Sequence, residues 1–227
     1  FIALVGPVLY AVANHTDKYL ISKYLKGGKV GSLIIFSALF NLIAIPIVLF
    51  IRPDVFSISI LKGALLALNA MFVVLSVLCY FYAMHKDEAT YVVPFYQTVP
   101  IFGFFLGYFL LGETVTGVQA WGSLAVIIGA LTLSFEFEAR VRFNRAVVLL
   151  MLTASLLYAI NGVMFKLLAL ESDFWVSIFW TQVGQVSAGL LLLIGVRSYR
   201  HQFFAMLREN KAAALGLNSI SETSFVI

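Results

Sequence analysis

The sequence predicts an all-α polytopic membrane protein, an inverted repeat of two five-helix bundles of which about seven and a half spans are present. Three observations carry this expectation. Hydrophobic residues make up 62% of the chain and charged residues 11%, with a mean hydropathy of +0.99, whereas soluble domains carry roughly 45–50% apolar and 25% charged residues. Apolar runs of about 20 residues, long enough to cross a bilayer, alternate with short polar connections. The chain also repeats its own pattern in the same order.

Taken in order, the spans cover 1–21, 31–51, 61–84, 89–111, 117–135, 146–168 and 175–196, and an eighth begins at 213–227. The chain opens inside one apolar run without Met and stops inside another, so a fragment of a longer chain is expected. The fourth and fifth spans form a hairpin. Asp87 and Glu88 suit the N-terminus of its first arm, and Gly112 suits the left-handed end of that arm. Glu113 and Thr114 can cap the second arm. Gly103 and Gly107 make a G-x-x-x-G, while Gly122, Ala125 and Gly129 make a small face on the other arm. Such faces let helices approach closely in lipid, so the two arms are expected to pack tightly on each other. Pro94 and Pro100 lie in the first arm and free carbonyls a turn earlier. Those carbonyls need partners, which places this arm against protein or a wet cavity. The connection at 197–211 reads either as an amphipathic surface helix or as a solvated loop.

The internal repeat joins LYAV at 9–12 with LYAI at 157–160, and the same offset sets Lys18 on Lys166. KGALLALN at 62–69 resembles KAAALGLN at 211–218 at an offset longer by one residue. Two units follow, 1–138 and 144–227, the second broken off in its third helix. Five spans per unit, an odd number, turn the second copy over relative to the first. Charge agrees: alternate connections starting with the first hold Lys18, Lys23, Lys26, Lys29, Lys86, Arg140, Arg142, Arg145, Arg197, Arg200, Arg208 and Lys211, and the others hold Arg52 and Lys62. The positive-inside bias puts the basic set in the cytoplasm.

Polar groups within spans are costly and therefore candidates for function. Asn14, His15, Asp17 and Lys18 end the first span, with Asn14, Asp17 and Lys18 at neighbouring positions of one face. An interfacial helix end with Lys18 snorkelling is the competing reading. Lys166 could join Lys18 on an anionic group or could snorkel as well. Asn218 and Glu222 belong to a polar cluster in the eighth span. Tyr96 and Gln97 on the proline arm, with Gln182 and Gln185 on the seventh span, could line a cavity or bond between helices, and Asn69, Ser76 and Asn161 carry the same two readings.

The stretch 80–134 is similar to the closing helices of an EamA-type repeat of the drug/metabolite transporter superfamily. The resemblance rests on Ala83-Met84, the mid-helix Pro100, Leu111-Gly112-Glu113, Trp121-Gly122 and Gly129. It implies ten helices when complete and a pathway between the two halves for a small metabolite or amphipathic compound. It also implies alternating access in a bacterial inner (plasma) membrane, with export as the expected direction. Asp17, His15 or Glu222 would serve as proton carriers if the proton gradient drives flux, and plain exchange is equally compatible. Members are drawn with both termini cytoplasmic, whereas the loop charges place residue 1 outside. The alternative class is a non-transporting polytopic protein, an assembly factor or membrane enzyme subunit.

Other classes are excluded by pattern. No H-E-x-x-H, G-x-S-x-G, Walker A or metal-spaced Cys/His set occurs, so no catalytic residue, metal or cofactor is expected. A net charge of +4 scattered between apolar runs argues against nucleic-acid binding. The expected partners are the lipid bilayer and a small-molecule substrate.

Overall fold

The computed structural model describes residues 2–24, 30–114, 116–134, 144–169, 173–209 and 216–222, among which there is no strand. The helices are α1 (Ile2–Tyr19), α2 (Val30–Phe40), α3 (Ala44–Ile51), α4 (Ile60–Lys86), α5 (Ala89–Val92), α6 (Val99–Leu111), α7 (Gly117–Ser134), α8 (Arg145–Ala169), α9 (Phe174–Gly195) and α10 (Arg197–Glu209). Residues 216–222 are helical as well. Five stretches are long and apolar enough to cross a membrane: Val30–Ile51, Ile60–Lys86, Val93–Leu111, Arg145–Ala169 and Phe174–Gly195. They coincide with five of the expected spans. α1 and α7 occupy two more, and the rest of the eighth lies outside the described residues.

The bundle is built around α4, whose 27 residues extend about 40 Å. Ser59 caps its start by accepting from the Lys62 amide. At its other end the Lys18 ammonium donates to the carbonyls of Met84 (3.1 Å) and Asp87 (2.7 Å), satisfying acceptors that a helix C-terminus leaves open. α8 runs antiparallel to α4, because Asn69 bonds Asn161 while Ser76 bonds Ala154. α9 runs parallel to α4, with Gly63 facing Trp180 and Gly184 facing Ala67. α2 is antiparallel to α9, with Gly189 against Ala38. The connections at 52–60, 112–116 and around Asp173 therefore share one end, and those at 20–24, 86–88 and 196–197 share the other. Alternate loops fall on alternate ends, as expected, and Lys18, Lys23, Lys86 and Arg197 gather at the second.

The core near that basic end contains Leu33, Ile34, Ile35, Phe81, Met84 and Met151, all sealed from solvent. A smaller cluster of Val48, Val55 and Phe179 closes the opposite end. There the Trp180 indole donates to the Val55 carbonyl at 3.0 Å, and Phe56 sits edge-on to Phe179 and Trp180.

Four local expectations change. The span 31–51 is not one helix: it breaks at 41–43 between α2 and α3. Pro46 supplies no amide to the turn before it, and the Asn41 side chain takes up the carbonyls of Ser37 and Ala38 (3.0 and 3.3 Å). The span 89–111 is likewise divided, since the stretch between the two prolines, Val93–Thr98, winds as a 3-10 helix. Gly112 does end α6 in the left-handed conformation, at φ 65°. The start of α7 is capped by Thr116 and Gln119, each accepting from the other's amide, not by Glu113 and Thr114.

The tight hairpin is the fourth correction. Among the described residues nothing approaches the Cβ positions of Gly103, Gly122 or Gly129, and that of Gly107 meets only the Glu113 side chain. α6 packs on α8 instead, and α7 touches the 3-10 segment, leaving Trp121 73% exposed. A small-residue face permits close approach but does not choose the partner that takes it. The glycines that do carry contacts are elsewhere. A Cβ on Gly184 would overlap the Ala67 backbone, and one on Gly63 would meet the Trp180 ring.

Candidate functional site

The helical spacing on α1 sets Asn14 and Asp17 on one face, and that face is buried against α4. Asn14 is 4% and Asp17 1% exposed. Tyr80 of α4, 3% exposed, aims its hydroxyl between them: the Oη lies 2.7 Å from Asn14 Oδ1 and 3.3 Å from Asp17 Oδ2. A phenol carries one proton, so it serves one acceptor fully and the other partly. Ser221, from the helical stretch 216–222, donates to Asp17 Oδ1 at 2.6 Å. The Asn14 amide donates back to the Tyr10 carbonyl at 2.7 Å.

Beside this group Glu222 accepts from the Ser37 hydroxyl of α2. The Tyr80 ring tilts on Tyr96 at 5.6 Å, and Tyr96 meets Tyr158 of α8 edge-on at 6.2 Å. Two carboxylates, three tyrosines and two serines thus come together from α1, α2, α4, the 3-10 segment, α8 and 216–222. None of the ion pairs among the described residues includes Asp17 or Glu222. Their partners are hydroxyls.

Several expected residues lie elsewhere. Lys18 is turned to the end of α4, where Glu88 also stands 3.6 Å from its ammonium. Lys166 pairs with Glu113 at the opposite end of the bundle, so the two repeat-related lysines do not converge on one ligand. His15 is exposed on the other side of α1. Asn218 is buried, with its amide 4.0 Å from Met206 Sδ. Gln97 is half-buried on the 3-10 segment, and Gln182 and Gln185 are half-buried on α9. The Gln182 Oε1 has no hydrogen-bond partner among the described residues, and no hydrogen bond joins these amides to Asp17.

The second set of in-span polar residues holds helices together. Asn69 and Asn161 each donate to the other's backbone carbonyl at 3.0 and 3.2 Å, and Ser76 donates to Ala154. Phe95, between the prolines, has its carbonyl taken by Thr98 (2.6 Å) and by Ser155 of α8 (3.0 Å). These are the interhelical bonds that hydrocarbon surroundings demand. Tyr80 and Ser37 were not singled out from the sequence. A tyrosine near a span end reads as an interfacial anchor, and a lone serine in an apolar helix gives no signal.

The model of the EamA-like transporter family matches residues 2–135, more than half of the chain. The chain belongs to the EamA-like transporter family. Comparison with curated proteins and with solved structures returns no match. As an EamA-like protein it is an integral membrane protein of the drug/metabolite transporter type. The matched region contains Asn14, Asp17, Ser37, Tyr80 and Tyr96, while Ser221 and Glu222 come from the chain beyond it.

Proposed function

We propose that this EamA-like protein is a secondary transporter that carries a small metabolite or amphipathic compound outward across the bacterial inner membrane. Its site is the group formed by Asn14, Asp17, Tyr80 and Ser221, with Ser37 and Glu222 beside it. The observation that carries the reading is Asp17: a carboxylate sealed inside the bundle whose partners among the described residues are hydroxyls and not a cation. A hydroxyl can donate or accept, so these partners serve both the carboxylate and the carboxylic acid. Asp17 and Glu222 are therefore the proton carriers of this proposal, and the exposed His15 is left out.

The two units 1–138 and 144–227 are the halves that rock against each other. Directions support the assignment: α1 and α8 run oppositely, as do α2 and α9. Contacts between the halves occur at both ends. Arg52 reaches Asp173 at 2.8 Å and Lys166 reaches Glu113 at one end. Tyr82 meets Tyr199 at 2.7 Å, and Gly31 donates to Gln202 at 3.0 Å, at the other. Alternating access would part these two sets in turn.

The test is a thermal-shift screen of the complete purified protein against a metabolite panel at two pH values. A ligand at 100 times its Kd adds about 2.7 kcal/mol of apparent stability. The expected result is a shift with one compound class that Asp17→Asn abolishes and His15→Ala retains. A shift that survives both Asp17→Asn and Glu222→Gln would refute this site.

A further inference from the structure

The stretch 197–211 reads from the sequence as either a loop or a surface helix, and Arg197–Glu209 is the helix α10, locked against the basic end of the bundle. Three contacts fix its rotation. The Tyr199 ring lies on Gly31, where any Cβ would overlap it. The Tyr199 hydroxyl meets that of Tyr82, and Gln202 accepts from the Gly31 amide. Phe203 and Met206 complete the inward face and are buried. The outward face is then determined: Arg197, His201, Phe204 and Arg208 succeed one another at intervals of four, three and four residues, which is one stripe of an α-helix. All four are exposed, Phe204 at 55%. Among the described residues no carboxylate pairs with Arg197 or Arg208.

We propose that this outward stripe of α10 binds the headgroups of anionic phospholipids. Three features fit that occupant. α10 follows directly on the end of the spanning helix α9, at Gly195, which puts it at headgroup depth. Guanidinium groups meet phosphate oxygens with two parallel hydrogen bonds, so arginines that pair with no carboxylate among the described residues are matched to a phosphodiester. Phe204 between them supplies the apolar contact that an interfacial helix makes with the acyl boundary. The inward face ties α2, α4 and α9 together, so lipid held on the outer face stabilises the closed basic end.

The test measures thermal stability of the full chain in mixed micelles titrated with phosphatidylglycerol or with phosphatidylcholine. Phosphatidylglycerol raises the melting temperature and phosphatidylcholine does not, and added salt weakens the effect. In R197Q/R208Q the apparent affinity for phosphatidylglycerol falls roughly twenty-five-fold, about five-fold per arginine, while stability in phosphatidylcholine is unchanged because neither side chain supports the fold. Phe204→Ser weakens the same response. Equal shifts with both lipids, or a phosphatidylglycerol shift retained by R197Q/R208Q, would overturn the proposal. An equal shift from glycerol phosphate would assign the stripe to free phosphates, and one from polyglutamate to an acidic polypeptide. Either result also overturns it.

Discussion

Replacing Tyr80 by Phe removes one oxygen from the interior and keeps the ring that packs on Tyr96 and Phe81. The loss falls on two acceptors. Asn14 Oδ1 loses the donor at 2.7 Å, and Asp17 Oδ2 loses a longer one at 3.3 Å, while Asp17 Oδ1 keeps Ser221. Leaving a buried acceptor unpaired costs about 1–3 kcal/mol in water-soluble proteins. Interhelical hydrogen bonds measured within membranes average about 0.6 kcal/mol and reach about 1.7. The geometry places this bond near the upper part of that range, because Asn14, Asp17 and Tyr80 are all buried. The expected loss for Tyr80→Phe is therefore about 1–1.5 kcal/mol. Asn14→Leu removes the acceptor, so in the double variant the orphaned group is gone and the two losses do not add. A coupling of about 1 kcal/mol is expected from the cycle. Equilibrium unfolding in mixed detergent micelles measures all four proteins. Additive losses, or a Tyr80→Phe loss below about 0.3 kcal/mol, would refute the claim that this hydroxyl joins α1 to α4.

Three further outcomes follow from the same contacts. Gly184→Val should prevent accumulation of folded protein, because its Cβ would occupy the place of the Ala67 backbone, whereas Gly103→Ala should fold normally in the open space around it; expression with size-exclusion profiles compares the two. Lys166→Gln should cost no more than about 1 kcal/mol, since the pair with Glu113 is half exposed on both sides, and chemical unfolding would contradict this with a larger loss. At the Arg52 end, hydrogen bonds from the guanidinium hold the Asp54 carboxyl below its usual range. A lowered folded-state pKa gives stability that is present above the unfolded value of about 3.9 and is lost as pH falls through the folded one. The melting-temperature difference between the protein and Asp54→Asn should therefore be constant from neutral pH to about 4 and vanish below it; a difference that disappears above pH 5 would contradict the ion pair.

Span positions and alternation of ends were legible because hydrophobic length and loop charge are properties of contiguous sequence. The joints inside spans were legible only in part. Pro94 and Pro100 signalled freed carbonyls, yet nothing in their spacing said that the turn between them would tighten to a 3-10 helix or that Ser155 would reach Phe95. Partner choice was not legible at all. Gly103, Gly107, Gly122 and Gly129 look like a packing face, but close approach went to Gly184 and Gly63, each of which also has a small residue four positions on, Ala188 and Ala67. For the site, Asn14, Asp17 and Glu222 stood out because a span seldom holds amides and acids. Lys18 and Lys166 stood out for the same reason and turned out to tie down ends, since a long flexible stem lets an ammonium leave the interior. Tyr80 and Ser37 needed the tertiary fold.

Irregular backbone explains where the polar group sits. Asp17 lies one turn before the π-helical stretch Leu20–Tyr24, Ser37 one turn before the break at 41–43, and Tyr96 inside the 3-10 stretch Val93–Thr98. Each irregularity interrupts the repeating i to i+4 bonds and allows the flanking segments to hinge. Within a membrane such breaks persist only where protein or water satisfies the exposed groups. Three of them converging on one set of hydroxyls and carboxylates is not required to fill a bundle; uninterrupted helices would pack as well and cost less. It is what a site needs if its walls belong to segments that must change direction while the bundle around them stays packed, because the bending is then confined to stretches next to the residues of the polar group.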